Sequence, residues 1–431
     1  MGEHFHVVLP TDVFPPGSGG SGWSTHALAL ALQARGHEVI AIVPRRGAPG
    51  LRRTTIAGVA VVEVGYTAPN VPFLQNFYRF ELLWPLLRNV VVNEVLRRHA
   101  HPVIVHAQHA QTAPAAVLAA GEIAAPVVAT VRDAWPWHYF ATGLLSERVP
   151  FPFGSAATAW LDLIGRLGPL KGVLAAPAVP YMLRHVQRRA ALLAQADAII
   201  AVSAYMRRKL QPIVPPDRLH VLPNLIDVPA TLRTATDPSV VAPDEPFVLY
   251  VGKLERNKGA HLLPTALMAA RAAGADVPLL LIAGSGALEN ELRQQLTKRG
   301  FRHKILAGWT DHDEVLRLML RAEVLLYPSA WGEPLTRVLL EASAVGACIA
   351  AINTGGTADI VVDGASGRLV PDEVGLGQAL AALLNTPADR QRLRAGARRV
   401  AQERFAADVV AARVEALYRQ LHAAKRQSLS G

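Results

Sequence analysis

Short apolar runs recur along the chain, and each is followed by a polar or glycine-containing segment and then by a helical pattern. The first run, residues 5–10, predicts a buried strand, and the pattern after its glycine-rich loop predicts an amphipathic helix ending near Gly36. Further strands are predicted at residues 39–44 and 59–64. Strand, loop and helix repeated in this order are typical of a doubly wound parallel α/β sheet.

The same pattern starts again in the second half of the chain. Residues 228–246 are polar and rich in proline and threonine, which is typical of a linker, and a new apolar strand follows at residue 247. A chain of 431 residues is too long for one ordinary core. We therefore predict two Rossmann-like domains, residues 1–235 and 245–405, that face each other across a central cleft. The C-terminal helix is predicted to pack back on the first domain.

The overall composition is that of a globular and basic protein. Hydrophobic residues make up 51% of the chain, charged residues 18%, and the formal net charge is +10. Such an excess suits phosphorylated substrates, anionic lipid or nucleic acid. Nucleic acid is the weakest of the three, because no basic array with interleaved aromatic residues and no helix-turn-helix pattern is found.

Cysteine usage and hydropathy bear on the compartment. Cys348 is the single cysteine, so no disulfide framework is expected, which fits a reducing cytoplasm. The first residues lack the pattern of a signal peptide. No apolar run reaches the ~20 residues of a membrane span. We expect a soluble protein or one that lies on a membrane surface.

Residues 135–190 combine many aromatic residues with arginine and lysine. Aromatic residues beside cations at amphipathic spacing can mark a helix that lies in a membrane interface. A helix that packs over an acceptor-binding cleft explains the same pattern, and both interpretations stay open.

Two carboxylates, Glu333 and Glu341, dominate the stretch of residues 329–341. Pro334 suits the first position of a helix, which would place Glu333 at its mouth and Glu341 about two turns inside. The free N–H groups of the first turn favour an anion between the two acids. A phosphate-linked ligand with hydroxyl groups on both sides, such as a sugar nucleotide, suits this layout. Two glutamates on an ordinary helix are the structural alternative.

Other loops at predicted strand ends of this half are also suited to phosphate. Lys253 and Lys258 lie on one glycine-bounded loop, where either ammonium group can neutralise a diphosphate. The Gly355–Gly356 turn adds a loop that a ligand can approach closely. Two lysines on a solvated loop are the structural alternative.

In the first half, polar groups follow predicted strands. Gly19 and Gly20 belong to a loop whose spacing is neither a Walker A nor a dinucleotide fingerprint. His106 and His109 follow one strand and Arg132 another, where parallel sheets bind their ligands. A metal at the histidines lacks an evident third ligand, so polar loop residues or sugar contacts are favoured.

Several of these segments together resemble one family. The matching segments are GSGG with RGHEV after it, ADAIIAVS, the loop from VGK to KG, AGSG, the run PS-x-x-x-E-x7-E, the TGG turn and the strand GRLV. Over nearly its whole length the chain resembles the retaining GT-B glycosyltransferases of family four, the group 1 class related to glycogen synthase.

The resemblance implies a nucleotide-diphosphate sugar as donor, with no metal and no cofactor. It implies that Glu333 holds hydroxyls of the donor sugar, Glu341 those of the ribose, and Lys258 with Lys253 the leaving diphosphate. His109 and Arg132 complete the expected catalytic set. Expected contacts to the sugar, the phosphates and the base are Gly19, Gly20, Pro334, Leu335, Thr336, Gly284, Gly286, Trp309 and Thr310.

Three departures from the family pattern stand out. Lys253 replaces the usual arginine. A guanidinium can donate two parallel hydrogen bonds to a phosphate, whereas the lysine ammonium offers a single compact charge. Arg132 replaces the histidine that commonly positions the donor sugar, and we expect it to face the cleft toward a charged donor or acceptor group. Residues 224–227 read NLID, where a glycine commonly follows the asparagine.

The predicted function is that of a cytoplasmic retaining transferase that builds a surface polysaccharide or glycolipid. Its partners are a nucleotide-sugar donor and a glycan or lipid-linked acceptor, with peripheral contact to the inner face of the membrane and no nucleic acid. One alternative is a sugar-nucleotide epimerase or phosphorylase on the same fold, although the pyridoxal lysine motif of a phosphorylase is not found. The other is a non-catalytic protein that binds nucleotide sugars.

Overall fold

The computed structural model describes residues 3–16, 19–71, 74–97, 102–146, 149–151, 155–240, 242–306 and 311–430. The chain forms two compact units. The first comprises residues 1–146, 151–225 and 407–431, and the second comprises residues 147–150 and 226–406. Both are α/β units built on a mostly parallel sheet, so the predicted fold class is confirmed.

The strands follow the apolar runs of the sequence. Up to residue 225 they are β1 (His6–Pro10), β2 (Glu38–Arg46), β3 (Gly50–Ile56), β4 (Val59–Tyr66), β5 (Val103–Ala107), β6 (Val127–Val131), β7 (Leu144–Leu145), β8 (Val149–Pro150), β9 (Ala198–Ala201) and β10 (Leu219–Val221). Beyond it they are β11 (Phe247–Val251), β12 (Leu279–Ala283), β13 (His303–Leu306), β14 (Val324–Tyr327), β15 (Ile349–Ile352) and β16 (Arg368–Val370).

Helices connect these strands. In chain order they are α1 (Gly20–Ala34), α2 (Leu74–Phe77), α3 (Leu83–Leu96), α4 (Thr112–Ala119), α5 (Ala156–Leu167), α6 (Pro169–Leu174), α7 (Val179–Leu193), α8 (Ala204–Leu210), α9 (Val228–Thr236), α10 (Leu263–Ala272), α11 (Glu289–Lys298), α12 (His312–Arg321), α13 (Arg337–Val345), α14 (Thr357–Ile360), α15 (Glu373–Asn385), α16 (Pro387–Val400) and α17 (Ala407–Ser430). Tyr78–Leu82 and Ala401–Phe405 are π-helical.

The first unit contains the sheet β10-β9-β6-β5-β1-β2-β4-β3. Its strands pair in parallel except β3, which pairs antiparallel with β4 at the edge. The central strands β1 and β6 are buried at every residue, as expected when helices cover both faces of a parallel sheet. The strand order reverses between β1 and β5, because the chain adds strands in one direction from β1 and then in the other from β5.

The second unit contains the parallel sheet β13-β12-β11-β14-β15-β16. Numbered within the unit, this is the order 3-2-1-4-5-6 of Rossmann-like folds. The order reverses between β11 and β14. In such sheets the carboxyl ends of the two strands at the reversal form a crevice that binds ligands.

The segment predicted as a linker, residues 228–246, begins with a helix. Asp227 caps α9 by accepting a hydrogen bond of 2.9 Å from the Ala230 N–H, and Pro229 occupies its first turn. Because α9 packs against α12 and α13, it belongs to the second unit. The main segment of that unit begins at residue 226, whereas the sequence predicts that the first domain continues to residue 235.

The last helix belongs to the first unit, although the chain reaches it only after completing the second. α17 packs against α1. Tyr418 of α17 is fully buried in a hydrophobic core that also includes Phe5, the residue before β1. No helix among the described residues is long and apolar enough to cross a membrane.

Candidate functional site

The crevice between β11 and β14 in the second unit contains the residues predicted to bind diphosphate. Lys253 and Lys258 follow β11, and Glu333 follows β14. The Lys258 ammonium group forms an ion pair with Oε1 of Glu333, and the side chains are 27% and 8% exposed. The same ammonium lies 5.1 Å from the centroid of the Trp331 ring. The structure therefore joins Lys258 and Glu333 at the strand reversal of this sheet.

Lys253 is not part of this pair. Its side chain is 65% exposed, and its ammonium group lies 3.8 Å from Oε1 of Glu255 on the same loop. Of the two lysines, Lys258 is the one fixed in position beside the predicted donor-binding acid.

Close backbone contacts hold the Lys258 loop against the loop that follows β14. Gly259 has a left-handed backbone (φ +73°), and a Cβ there would lie 1.8 Å from the Pro328 carbonyl oxygen. The Ala330 N–H donates to the Asn257 carbonyl over 3.1 Å. Only glycine fits such an approach, so the position of the Lys258 side chain depends on Gly259.

The Gly355–Gly356 turn fixes the backbone of Glu333. The Gly356 N–H donates to the Glu333 carbonyl over 2.7 Å. Gly355 has φ +57°, and a Cβ there would lie 2.4 Å from the Glu333 nitrogen. The sequence predicts that a ligand approaches this turn closely. In the structure, the turn packs closely against the backbone of Glu333.

The predicted helix start at Pro334 is wrong. The helix α13 begins at Arg337, and Thr336 before it has an extended backbone. Pro334, Leu335 and Thr336 form a loop, because the Glu333 carbonyl accepts its hydrogen bond from Gly356 and not from a following helical turn. Leu335 and Thr336 are both buried in this loop.

Glu341 lies little more than one turn inside α13 and is buried. Its Oε1 accepts hydrogen bonds from Nε of Arg337 (2.6 Å) and Nε2 of His312 (3.0 Å). Burial raises the pKa of Glu341, but the hydrogen bond from His312 and the charge of Arg337 outweigh it and lower the pKa below its usual value. Glu341 is therefore ionised. His312 was not predicted, because no local feature of the sequence marks it as a partner of Glu341.

The loop after β12 packs directly on the loop that contains Lys253. A Cβ on Gly284 would lie 1.9 Å from the Gly252 carbonyl oxygen, and one on Gly286 would lie 2.6 Å from that of Leu254. Both glycines thus permit close contact between two loops at the carboxyl edge of the sheet. Trp309 and Thr310, predicted to lie near the base, are outside the described residues.

An ion-paired histidine lies at the strand reversal of the first unit. Nδ1 of His109 is 2.9 Å from Oδ2 of Asp12, which follows β1, and Nε2 is 2.9 Å from Oδ2 of Asp133, which follows β6. Burial lowers the pKa of His109, but the two carboxylates raise it by more than burial lowers it. The result is a pKa of about 10, above the ordinary value of 6.5. The ring is an imidazolium at neutral pH, so it can donate hydrogen bonds but cannot act as a general base.

Asp12 organises this cluster and was not predicted. It accepts hydrogen bonds from the backbone N–H groups of Gln111 (2.9 Å) and Thr112 (3.0 Å), at the start of α4. Its sequence signal is its position two residues after a buried strand. Among the described residues, no group of three or more His, Cys, Asp or Glu side chains could hold a metal ion.

Arg132 is half-buried and points into the unit. Its Nε donates to Oδ1 of Asn224 (2.9 Å) and its Nη1 to the Gln108 carbonyl (3.0 Å). Burial lowers its pKa to about 10, so the guanidinium is charged at neutral pH. The structure thus fixes Arg132 through hydrogen bonds within the first unit.

His106 is not a loop ligand, contrary to the sequence-based interpretation. It lies within β5, where Nδ1 is 2.6 Å from the Tyr418 hydroxyl and Nε2 is 2.7 Å from Oγ1 of Thr130. Burial lowers its pKa to about 3, so it is a neutral core residue that links β5, β6 and α17.

Gly19 and Gly20 mark the start of α1, which follows β1. Gly19 occupies the cap position with an extended backbone, and its carbonyl accepts from the Gly22 N–H over 3.1 Å. Among the described residues, no atom lies within 4 Å of a Cβ built on Gly19.

An apolar cavity of about 220 Å³ lies in the first unit. Helices α5 and α7 contribute Ala159, Met182, Val186 and Ala190 to its lining, beside aromatic residues of the segment that follows β6. The polar pair His138–Asp162 forms part of the wall, with Nε2 and Oδ2 3.1 Å apart.

Comparison with known proteins points to one class of enzymes. Residues 233–400 match the model described as Glycosyl transferases group 1, and residues 18–229 match that of Glycosyltransferase Family 4. The glycogen synthase of Mycobacterium tuberculosis is 28% identical over 446 residues, covering 98% of this chain and 96% of that protein.

Solved structures share the fold. Sucrose-phosphate synthase from Thermosynechococcus elongatus superimposes with a TM-score of 0.68 at 21% identity, covering 97% of this chain and 100% of that one. Anabaena HepE in complex with UDP gives a TM-score of 0.65 at 18% identity, covering 96% of this chain and 100% of the other.

Proposed function

Because the chain belongs to the group 1 glycosyltransferases, we propose that it transfers a sugar from a nucleotide-diphosphate sugar to a glycan or lipid-linked acceptor with retention of anomeric configuration. We further propose that it needs no divalent metal. The reaction would serve surface polysaccharide or glycolipid synthesis in the cytoplasm, a reducing compartment that suits the buried thiol of Cys348. The observation that carries the proposal is the Lys258–Glu333 pair at the strand reversal of the second unit.

Lys258 supplies fixed positive charge to the leaving diphosphate. An ammonium group has three N–H donors, and the contact with Oε1 of Glu333 uses one. Negative charge grows on the diphosphate as the glycosidic bond breaks, so a cation already held in position lowers the barrier. Lys253, on the exposed part of the same loop, adds a second positive charge.

Glu333 and Glu341 accept hydrogen bonds from the hydroxyl groups of the donor. Glu333 is held by the Gly355–Gly356 turn, so its carboxylate is positioned before the sugar arrives. Glu341 is ionised, and a carboxylate accepts about four hydrogen bonds, of which Arg337 and His312 supply two. The ribose hydroxyls take the remaining capacity.

The cavity in the first unit supports the lipid-linked acceptor over the glycan. Its lining is mainly aliphatic and aromatic, whereas a glycan requires many polar partners. Filling the cavity with Ala190→Leu is expected to raise the KM for a lipid-linked acceptor several-fold. Ala191→Leu, at the exposed neighbouring position, is the matched control and is expected to leave that KM unchanged.

The proposal is tested with the purified protein, a panel of labelled UDP-, ADP- and GDP-sugars, and both kinds of acceptor. We expect transfer from one nucleotide class, an α-linked product from an α-linked donor by NMR coupling constants, and full activity in EDTA. An inverted product would contradict retention, and loss of activity in EDTA would contradict metal independence. A changed sugar released without an acceptor would indicate an epimerase, and binding without turnover a non-catalytic protein.

A further inference from the structure

Helices α5 and α6 of the first unit present an apolar face to solvent. Leu170 and Leu174 are 75% and 72% exposed. The face, which we call the α5–α6 face, consists of Trp160, Leu161, Leu167, Leu170, Val173 and Leu174. Large exposed apolar side chains concentrated on two helices that pack together indicate an interaction surface.

The two helices are firmly packed. A Cβ on Gly172 of α6 would lie 2.4 Å from Cα of Ile164 in α5, so the helices touch backbone to backbone. The Trp160 indole N–H donates to the Gly172 carbonyl over 3.3 Å. Leu163, on the other side of α5, is fully buried with Met182 of α7. The apolar face is therefore the outer side of a fixed helix pair.

Acidic residues are rare in the segment that contains this face. Residues 149–196 contain one acidic residue, Asp162. It is buried and hydrogen-bonded to His138 (3.1 Å) and Arg166 (2.9 Å). Lys171 in α6 and Arg184 in α7 are exposed. The described solvent-facing charge of this segment is thus dominated by cations.

We propose that the α5–α6 face docks the protein on an anionic lipid bilayer. Leucine, valine and tryptophan side chains enter the boundary between headgroups and acyl chains, while Lys171 and Arg184 contact lipid phosphates. An apolar protein groove would account for the leucines but gives no reason for the exposed cations Lys171 and Arg184 in a segment whose one acid is buried. The net charge of +10 strengthens attraction to the same membrane. This surface is separate from the donor chemistry proposed above.

Sedimentation of the full-length protein with vesicles tests the docking. We expect binding to phosphatidylcholine vesicles that contain phosphatidylglycerol, and weak binding to phosphatidylcholine alone. Leu170→Glu with Leu174→Glu is expected to weaken binding by roughly tenfold or more for each leucine. Leu51→Glu, at a 59% exposed position of β3, is the matched control and should bind as the unaltered protein does. Lys171→Gln with Arg184→Gln should weaken binding mainly at low salt.

The outcomes are decisive in both directions. Unchanged binding by the double leucine variant would overturn the proposal, as would equal binding to neutral and anionic vesicles. If light scattering shows that the leucines hold two copies of the chain together, the occupant is a second copy and the proposal fails. Donor binding, measured in the same variants by calorimetry, should stay unchanged, so a failure of docking is distinguishable from a failure of the proposed reaction.

Discussion

The two sheets place an ion pair at the same topological position, with different surroundings. In the first unit, Asp12 after β1 contacts His109 after β5. In the second, Lys258 after β11 contacts Glu333 after β14. Both pairs lie where the strand order reverses. Equivalent positions in two Rossmann-like sheets thus carry opposite arrangements of charge.

The two pairs differ in how much of their hydrogen-bonding capacity is used by other groups of the same unit. His109 uses both ring nitrogens on carboxylates, and Asp12 also accepts from two backbone N–H groups. Lys258 has donor capacity beyond its contact with Glu333. We infer that the first pair mainly stabilises its unit, whereas the second mainly serves the ligand.

The largest effect is expected for Glu333→Gln. Loss of the carboxylate removes the partner of Lys258 and the predicted contact to the donor sugar, so kcat should fall by about 10²–10³-fold. Stability should change little, because the Lys258 side chain is partly exposed and can be hydrated. Glu255→Gln, on the neighbouring exposed loop, is the control. Near-normal turnover in Glu333→Gln would remove Glu333 from the mechanism.

Gly355→Ala is expected to lower the free energy of unfolding by about 3–4 kcal/mol. A left-handed alanine costs roughly 1–2 kcal/mol, and the close contact with the Glu333 nitrogen adds the remainder. Gly364→Ala is the matched control, because Gly364 has φ +71° but no atom of the described residues within 4 Å of its Cβ position. Urea unfolding of the two variants separates contact from backbone strain, and equal losses would contradict close packing against Glu333.

His109→Gln is expected to show a pH-dependent loss of stability. The folded-state pKa of about 10 exceeds the ordinary value of 6.5, so the stabilising proton is fully effective below pH 6.5 and is lost as the pH rises toward 10. The difference in unfolding free energy between the two proteins should therefore shrink by about 4 kcal/mol from pH 6 to pH 10. A difference that stays constant with pH would show that the ion pairs contribute nothing.

Arg132→Lys should have the smallest effect, about 1 kcal/mol of unfolding free energy. A lysine keeps the charge but cannot donate to Asn224 and the Gln108 carbonyl at once. If Arg132 also contacts a charged group of the donor or acceptor, KM will rise more than the stability loss explains. Comparison of KM with urea unfolding distinguishes the two roles.

The sequence predicts those elements whose signal is local. Strands such as β1, β11 and β14 are uniform apolar runs because both faces of the sheet are covered. The edge strand β3 (GLRRTTI) is largely exposed and carries no such run, so it was missed. Lys258 and Glu333 were found through motif spacing and family resemblance, and the structure pairs them.

Contacts between distant residues explain what the sequence could not predict. The start of α13 was misplaced because the hydrogen bond that keeps residue 333 outside the helix comes from Gly356. Asp12 was missed because its partner His109 lies 97 residues away, and His312 because it lies 29 residues from Glu341. His106 has the position of a ligand in the sequence, but its partner Tyr418 lies 312 residues away.

The return of α17 to the first unit has a consequence for biosynthesis. On the ribosome, the contiguous segment 226–406 emerges before the helix that supplies Tyr418, so the second unit can fold while the first still lacks a piece of its core. Until α17 has emerged, His106 has no Tyr418 hydroxyl to contact, and the surface that α17 covers remains open. Protease pulses on stalled nascent chains should therefore cut residues 1–225 more readily than residues 226–406. The half of the enzyme made first would be the last to reach its native state.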